Sequence, residues 1–296
     1  MTLEREGWVE HELGRTWYRI VGAVGSPRPP LLCLHGGPGS THHYFAPLEQ
    51  LADGGRAVVL YDQVGCGRSQ KRPERAWSVG LFLDELDALR EELQLPRVHL
   101  LGTSWGGMLA LEHALRRRGT LASLVLSSTL ASVLDWEEEA RRLRDALPAD
   151  VLEVLDRHEA AGTYDDPEYE EAMKAFDARH FHRGDPDRPE LVRMRAERSK
   201  EAYRAMCGPN EWTMTGALRG WDVRQRLGEL DVPTLVVRGR HDLCTERIAS
   251  ALVDGIRGSQ YVVLGESSHT PVLEETERYL EIVGDFLAAA ESAPAS

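Results

Sequence analysis

Basic side chains are in short supply: 35 Lys and Arg face 48 Asp and Glu, leaving a formal net charge of −13. Nucleic acid and anionic membrane surfaces both demand a basic face, so neither is expected as a partner. A small cationic ligand stays compatible with this balance. Cysteine is scarce as well. The four, Cys33, Cys66, Cys207 and Cys244, are far apart and form no CxxC pair, which argues against a disulfide framework or a zinc site. Each is expected to be a small buried hydrophobe in a reduced, cytoplasmic protein. HExxH is missing and the His and Cys positions lack ligand spacing, so no metal or other cofactor is expected. Nothing approaches the roughly 18 uninterrupted apolar residues of a membrane-spanning helix. The opening Met1–Gly7 has no apolar run behind a basic start and does not read as a secretory signal. What remains is an ordinary globular composition, 42% apolar and 28% charged, on 296 residues, enough for one large domain or two smaller ones.

Short apolar runs recur: Leu31–Leu34, Ala57–Tyr61, Val98–Leu101, Leu121–Leu126, Thr234–Val237 and Tyr261–Leu264. Each ends in glycine or polar residues, and each is nearly continuous rather than alternating. Strands covered on both faces look like this, as in a parallel sheet flanked by helices. Helical spacing lies between them, with Leu83, Leu86, Leu89 and Leu93 in the segment Val79–Leu93. Trp105–Arg117 and Tyr279–Ala290 read similarly, and the alternation predicts an α/β fold. From about Asp135 to Arg226 the pattern changes to charged helical segments without strand-like runs. Glu137–Glu139, Arg141–Arg142 and Arg193–Lys200 read there as solvated helix faces. The tail Ala288–Ser296 is expected to fray.

Gly102-Thr103-Ser104-Trp105-Gly106-Gly107 fits G-x-S-x-G, with a buried strand leading in and a helix leading out. A sharp strand-to-helix turn of this kind exposes a serine hydroxyl as a nucleophile. His35-Gly36-Gly37-Pro38-Gly39 follows an earlier strand. A tetrahedral intermediate needs two preorganised donors, here expected to be the N–H groups of Gly37 and Trp105. His35 itself reads as structural. Hydrolases with this elbow order their triad Ser, then Asp or Glu, then His. Asp242 follows the Thr234 strand and His269 follows the Tyr261 strand, so the expected triad is Ser104, Asp242 and His269. His241 competes with His269 but adjoins the candidate acid, which makes it hard to orient. The fold expected is an α/β-hydrolase, a mostly parallel central sheet with an inserted helical cap. The catalytic domain is expected at 1–129 and 227–296, and the cap at 130–226.

Three strings, His35–Gly39, Asp62-Gln63-Val64-Gly65-Cys66-Gly67-Arg68-Ser69 and Gly102–Gly107, resemble those of the proline iminopeptidases, serine peptidases of the α/β-hydrolase fold. Cys207-Gly208-Pro209-Asn210-Glu211-Trp212 and Gly220-Trp221-Asp222 are also similar. The resemblance spans roughly Val9–Ala288 and looks strongest to the branch with the archaeal tricorn-interacting aminopeptidase. It implies release of an N-terminal residue, often proline, from short peptides or amino-acid amides, with cap carboxylates binding the free amine. Glu211 matches one such position. Trp212 and Gly36 are the other expected substrate contacts, and Trp221 is a candidate pocket wall. One departure stands out. The branch has a second amine-binding Glu directly after the catalytic Asp, and here that position is Leu243. Glu246 and Glu274 are candidates to compensate.

Two other functions stay open from sequence. A general carboxylesterase or amidase with an acidic cap would explain Leu243. A non-catalytic binding protein on a hydrolase scaffold would usually lack a triad member, whereas all three candidates are present. Cys66 and Cys244 flank the expected site loops, which makes steric block by thiol reagents an expectation to test.

Overall fold

The computed structural model describes residues 3–71 and 77–292. Residues Met1 and Thr2, part of the opening segment considered above, and the last four residues of the tail lie outside them. An amino-terminal hairpin, β1 (Glu4–His11) and β2 (Gly14–Val21), is followed by β3 (Leu31–Leu34), a 3₁₀ segment His42–Gly54 and β4 (Val58–Tyr61). Next come α1 (Val79–Glu92), β5 (Val98–Thr103), α2 (Trp105–Arg116) and β6 (Leu121–Ser127). Five helices then intervene: α3 (Val133–Arg144), α4 (Ala149–Ala161), α5 (Pro167–His180), α6 (Pro189–Glu197) and α7 (Lys200–Met206). The sheet resumes with β7 (Thr234–Gly239), α8 (Glu246–Gly255) and β8 (Gln260–Leu264), and the description closes with α9 (Pro271–Glu274) and α10 (Thr276–Ser292).

The eight strands form one sheet in the order β1-β2-β4-β3-β5-β6-β7-β8. β1–β2 and β2–β4 pair antiparallel, and every pair from β4 through β3 to β8 is parallel. The continuous apolar runs are explained by burial: β3, β4, β5, β6 and β7 are buried at every residue. Successive side chains point to opposite faces, and the two faces feed two separate apolar layers. Leu32, Leu34, Val59, Leu100, Leu124 and Val236 pack on one side, while Leu31, Cys33, Val58, Leu101, Val125 and Leu235 pack on the other.

One element was not foreseen and two expectations are corrected. The β1–β2 hairpin has no counterpart among the apolar runs. It is an antiparallel edge, and β1 exposes Glu4, Arg5, Glu6 and Trp8, so its sequence carries charge where the inner strands carry Leu and Val. The Tyr261–Leu264 run is β8, the opposite edge strand, with Gln260 and Val263 exposed rather than covered on both faces. The tail from Ala288 to Ser292 is the last part of α10, whose Tyr279, Val283, Phe286 and Leu287 are buried against the sheet.

Between β6 and β7 the described residues contain no strand, only the isolated bridges Ser132–Asp222 and Asn210–Thr213. The first bridge ties the two ends of the insertion together. Trp136, Leu155, Phe176, Met206 and Trp212 from this stretch join the same apolar layer as Leu86, Trp105 and Leu109. The helices are therefore seated on the sheet domain by shared core. The charged runs are only partly solvated. Glu139 on α3 is buried, pairing with Arg142 and with Arg247 of α8, which also reaches Glu138 and Asp135. Among the described residues no helix is long and apolar enough to cross a membrane.

Candidate active site

β5 ends at Thr103 and α2 begins at Trp105, so Ser104 alone makes the turn. It does so at φ 55° and ψ −122°, a conformation strained for any residue with a side chain. Hydrogen bonds hold it there. Ser104 N donates to Ser127 O at 3.0 Å, and Ser104 O accepts from Gly107 N at 2.9 Å and from Thr129 Oγ1 at 2.7 Å. Two glycines make the close approach possible. A Cβ on Gly102 would lie 2.1 Å from Gly106 O, and one on Gly106 would lie 2.0 Å from Leu34 O.

Because β5, β6, β7 and β8 run parallel, the loops after β5, β7 and β8 open on the same edge of the sheet. Asp242 and His269 are both buried there, with His269 Nδ1 2.7 Å from Asp242 Oδ1. That oxygen also accepts from Cys244 N at 2.8 Å. The carboxylate fixes the proton on Nδ1, which leaves Nε2 as the nitrogen able to accept one. Burial opposes a charged His269, but the charge and hydrogen bond of Asp242, then Glu211 and Glu274, outweigh it and raise its pKa above the ordinary histidine value. His269 rather than His241 meets Asp242, while the backbone of His241 bonds Ser267 O and His180 Nδ1. Thr129 joins the two halves of the site. Its hydroxyl holds Ser104 O, while its carbonyl accepts from Cys244 Sγ at 2.9 Å.

The His35–Gly39 loop lies directly on the serine turn: a Cβ added to Gly36 would sit 3.3 Å from Ser104 Cβ. Among the described residues, neither Gly37 N–H nor Trp105 N–H donates to a protein acceptor. Both remain available to an oxygen at Ser104. His35 is fully buried, with Nε2 accepting from Gln63 N and Nδ1 facing Gly36 O, which agrees with its structural assignment.

The inserted helices roof this edge. Ser199 N donates to Gly39 O at 2.7 Å, and His43 Nε2 meets Glu197 Oε2 at 3.0 Å. The Trp136 ring lies 5.7 Å from that of His269, and Phe181 lies 5.5 Å from it on another side. Glu211 is brought to this place: Oε2 accepts from Trp136 Nε1 at 3.1 Å and Oε1 from Tyr203 OH at 2.6 Å. Trp212 is not. It is 2% exposed, its indole N–H donates to Glu159, and its ring packs edge-on against Phe176. It is a core residue of the insertion, so its expected substrate contact is corrected. Trp221 donates to Glu112 and is likewise committed. Leu243 is buried; Glu246 pairs with Arg238 and Tyr261, and Glu274 accepts from Ser268, Thr270 and Arg183 N, so neither acid is free to compensate.

Trp136 is a core residue whose indole also reaches Glu211, and the sequence did not single out Asp177. Asp177 lies one helical turn before Phe181, on the same face. Asp177 is exposed, though protein lies densely around it. Burial, then the charge of Glu211, pushes its pKa up to about 6, against a partial pull from Arg198, Arg195 and His269. Several other acids of the insertion are paired: Glu137 with Arg141, Asp156 and Glu159 with Arg144, Asp165 with Arg204 and Glu168 with Arg157. Among the described residues Glu211 and Asp177 form no ion pair. One other group of potential metal ligands, His158, Asp166 and Glu168, sits at the α4–α5 connection. There Asp166 caps α5 and Glu168 binds Arg157, which accounts for their placement.

A family model for the α/β hydrolase fold matches residues 29–276. A proline iminopeptidase of Clostridium botulinum is 39% identical over 286 residues, covering 95% of this chain and 97% of its own. The chain belongs to the proline iminopeptidase family. The solved proline iminopeptidase of Mycobacterium smegmatis superposes with a TM-score of 0.86 at 38% identity, covering 97% of this chain and 99% of its own. A solved protein named VinJ superposes with a TM-score of 0.93 at 43% identity, with the same coverage. Proline iminopeptidase similarity at this coverage takes in the inserted helices as well as the sheet.

Proposed function

We propose that the chain is a serine hydrolase that releases an N-terminal residue, proline among them, from short peptides or amino-acid amides. Its catalytic domain is 1–129 and 227–296, and 130–226 is its cap. Ser104 attacks the carbonyl carbon of the first residue while His269 Nε2 takes the hydroxyl proton. Asp242 holds the imidazole and stabilises its charged form. The N–H groups of Gly37 and Trp105 receive the oxyanion. His269 returns the proton to the leaving amine, and water then hydrolyses the acyl-enzyme.

The observation that carries this reading is the pairing of a buried Asp242–His269 couple with two cap carboxylates that form no ion pair among the described residues. Glu211 and Asp177 repel one another in the free enzyme. A protonated substrate amine between them relieves that repulsion and places the first carbonyl at a fixed distance from the amine. Asp177 thereby replaces the carboxylate lost at Leu243.

Prolyl and alanyl arylamides should be hydrolysed, and their N-acetylated forms should not. Ser104→Ala should lose about three or more orders of magnitude in rate. Equal rates on free and acetylated amines would favour a general esterase or amidase. Retained activity in Ser104→Ala would remove the serine mechanism.

A further inference from the structure

Gln63 is the first residue but one after β4, and β4 lies beside β3, which lies beside β5. From that position it reaches across the end of β3. Its backbone N–H donates to His35 Nε2 at 2.9 Å, and its side-chain Nε2 donates to His35 O at 2.7 Å. Its Oε1 accepts from the Trp105 indole at 2.8 Å. An indole N–H can only donate and a peptide carbonyl can only accept, so the amide has one orientation that satisfies both. All three residues are buried to 1% exposure or less.

The two residues bridged in this way carry the two candidate oxyanion donors. Trp105 supplies its own backbone N–H. His35 precedes Gly37 by two residues and shares its loop. We propose that Gln63 is a positioning residue for the oxyanion hole: its side chain sets the separation of the Gly37 and Trp105 N–H groups. This rests on the serine-hydrolase reading above.

The strut is itself held rigid on both sides. Before it, Asp62 Oδ1 accepts from His42 N at 2.9 Å and faces His42 Nδ1 at 2.8 Å, while Oδ2 accepts from Arg68 N at 3.0 Å. After it, Val64 N donates to Glu85 Oε2 at 2.9 Å, and the other Glu85 oxygen accepts from Thr16 Oγ1. The loop is fixed next to His35 as well, because Gly36 N donates to Tyr44 OH at 2.6 Å. His35 must be neutral to accept from Gln63 N, and burial holds it so, lowering its pKa to about 4. A pure packing role needs none of this. An apolar side chain of the same volume would fill the space without two buried polar groups to satisfy.

The test compares Gln63→Met, Trp105→Phe and the double variant with wild type, using a free-amine arylamide. Active sites are counted by the acyl-enzyme burst, and affinity is measured for an aminoacyl boronic acid, whose Ser104 adduct places an oxygen in the hole. Each single variant should lose about tenfold or more in kcat per titrated site. KM should stay within about threefold, and boronate affinity should fall with kcat. The double variant should lose no more than the worse single one, since each breaks the same strut. A kcat per titrated site within about threefold of wild type would overturn the proposal, and so would losses that multiply in the double variant. Should Gln63→Met fail to fold, Trp105→Phe decides on the same criteria. Ser104→Ala and boronate binding to wild type separate the two levels. If either fails, the serine-hydrolase reading falls; if both hold while the strut variants keep their kcat, only the role of Gln63 falls.

Discussion

Replacing Asp177 by asparagine should make the protein more stable at neutral pH and worse at binding a free amine. Asp177 ionises at about 6 in the folded chain against an ordinary 3.8. The unfolded chain therefore releases this proton at lower pH than the folded one. Below about pH 4 both states hold the proton and the group costs nothing. Between about pH 4 and 6 the unfolded state gains its charge first, so stability falls as pH rises; above about pH 6 the full cost is present. The pKa difference corresponds to at most about 3 kcal/mol. The side chain retains access to water, and screening reduces this to about 1 kcal/mol. For a chain of this size, Asp177→Asn should then raise Tm by about 2 °C at pH 8. The gain should vanish at about pH 4, where the wild-type carboxyl is already neutral. Calorimetric melting of both proteins across that range measures it. In parallel, KM for a free-amine arylamide should rise about tenfold with kcat little changed. A variant no more stable than wild type at pH 8 would refute the uncompensated-carboxylate reasoning, and so would a gain that persists unchanged into acid.

Further outcomes follow from the same geometry. His269 must be neutral to act as base, and its raised pKa puts the acid limb of kcat/KM above pH 6.5; a profile flat from about pH 5.5 to 7.5 would exclude it. Gly102→Ala forces a Cβ to 2.1 Å from Gly106 O and should cost about 1–3 kcal/mol along with most activity, so a variant with wild-type Tm and rate would show that the elbow can relax. All four cysteines are buried, and burial pushes the thiols of Cys66 and Cys244 well up. Native enzyme should therefore keep its activity in iodoacetamide and react only once denatured, a reversal of the steric-block expectation; progressive loss of activity in the native state would contradict this burial.

The parts of the fold legible in sequence were those with one-dimensional signatures. Inner strands buried on both faces must be apolar at every position, which is why Leu31–Leu34 and Val98–Leu101 stand out as runs. The proposed triad was placed by chain order and strand ends, since Ser104, Asp242 and His269 each follow a strand of one parallel sheet. The β1–β2 hairpin was not, since an edge strand exposing Glu4, Arg5 and Glu6 has no need of an apolar run. Trp212 misled for a different reason. Its neighbour Glu211 points to the site, while its own indole turns into the helices to meet Glu159 and Phe176. Adjacent residues leave the backbone in different directions, and motif proximity does not decide which one reaches a ligand.

Asp177 shows why composition could only go so far. It lies in Pro167–His180, where Glu168, Glu170 and Glu171 also stand, and in sequence nothing separates it from a solvated helix face. Net charge is a sum and carries no position. Many acids of the insertion pair with arginine or lysine, so their share of the −13 exerts little specific pull on a ligand. The pull comes from carboxylates that form no ion pair among the described residues and have another carboxylate near. Glu211 meets that description through Trp136 and Tyr203, and Asp177 through the helical turn that also sets Phe181 against His269. An acidic protein need not bind cations. One that holds two unpaired acids beside a buried Asp–His couple has a site that an ammonium group would stabilise, and the loss of a carboxylate at Leu243 is consistent with that charge being supplied from the cap instead.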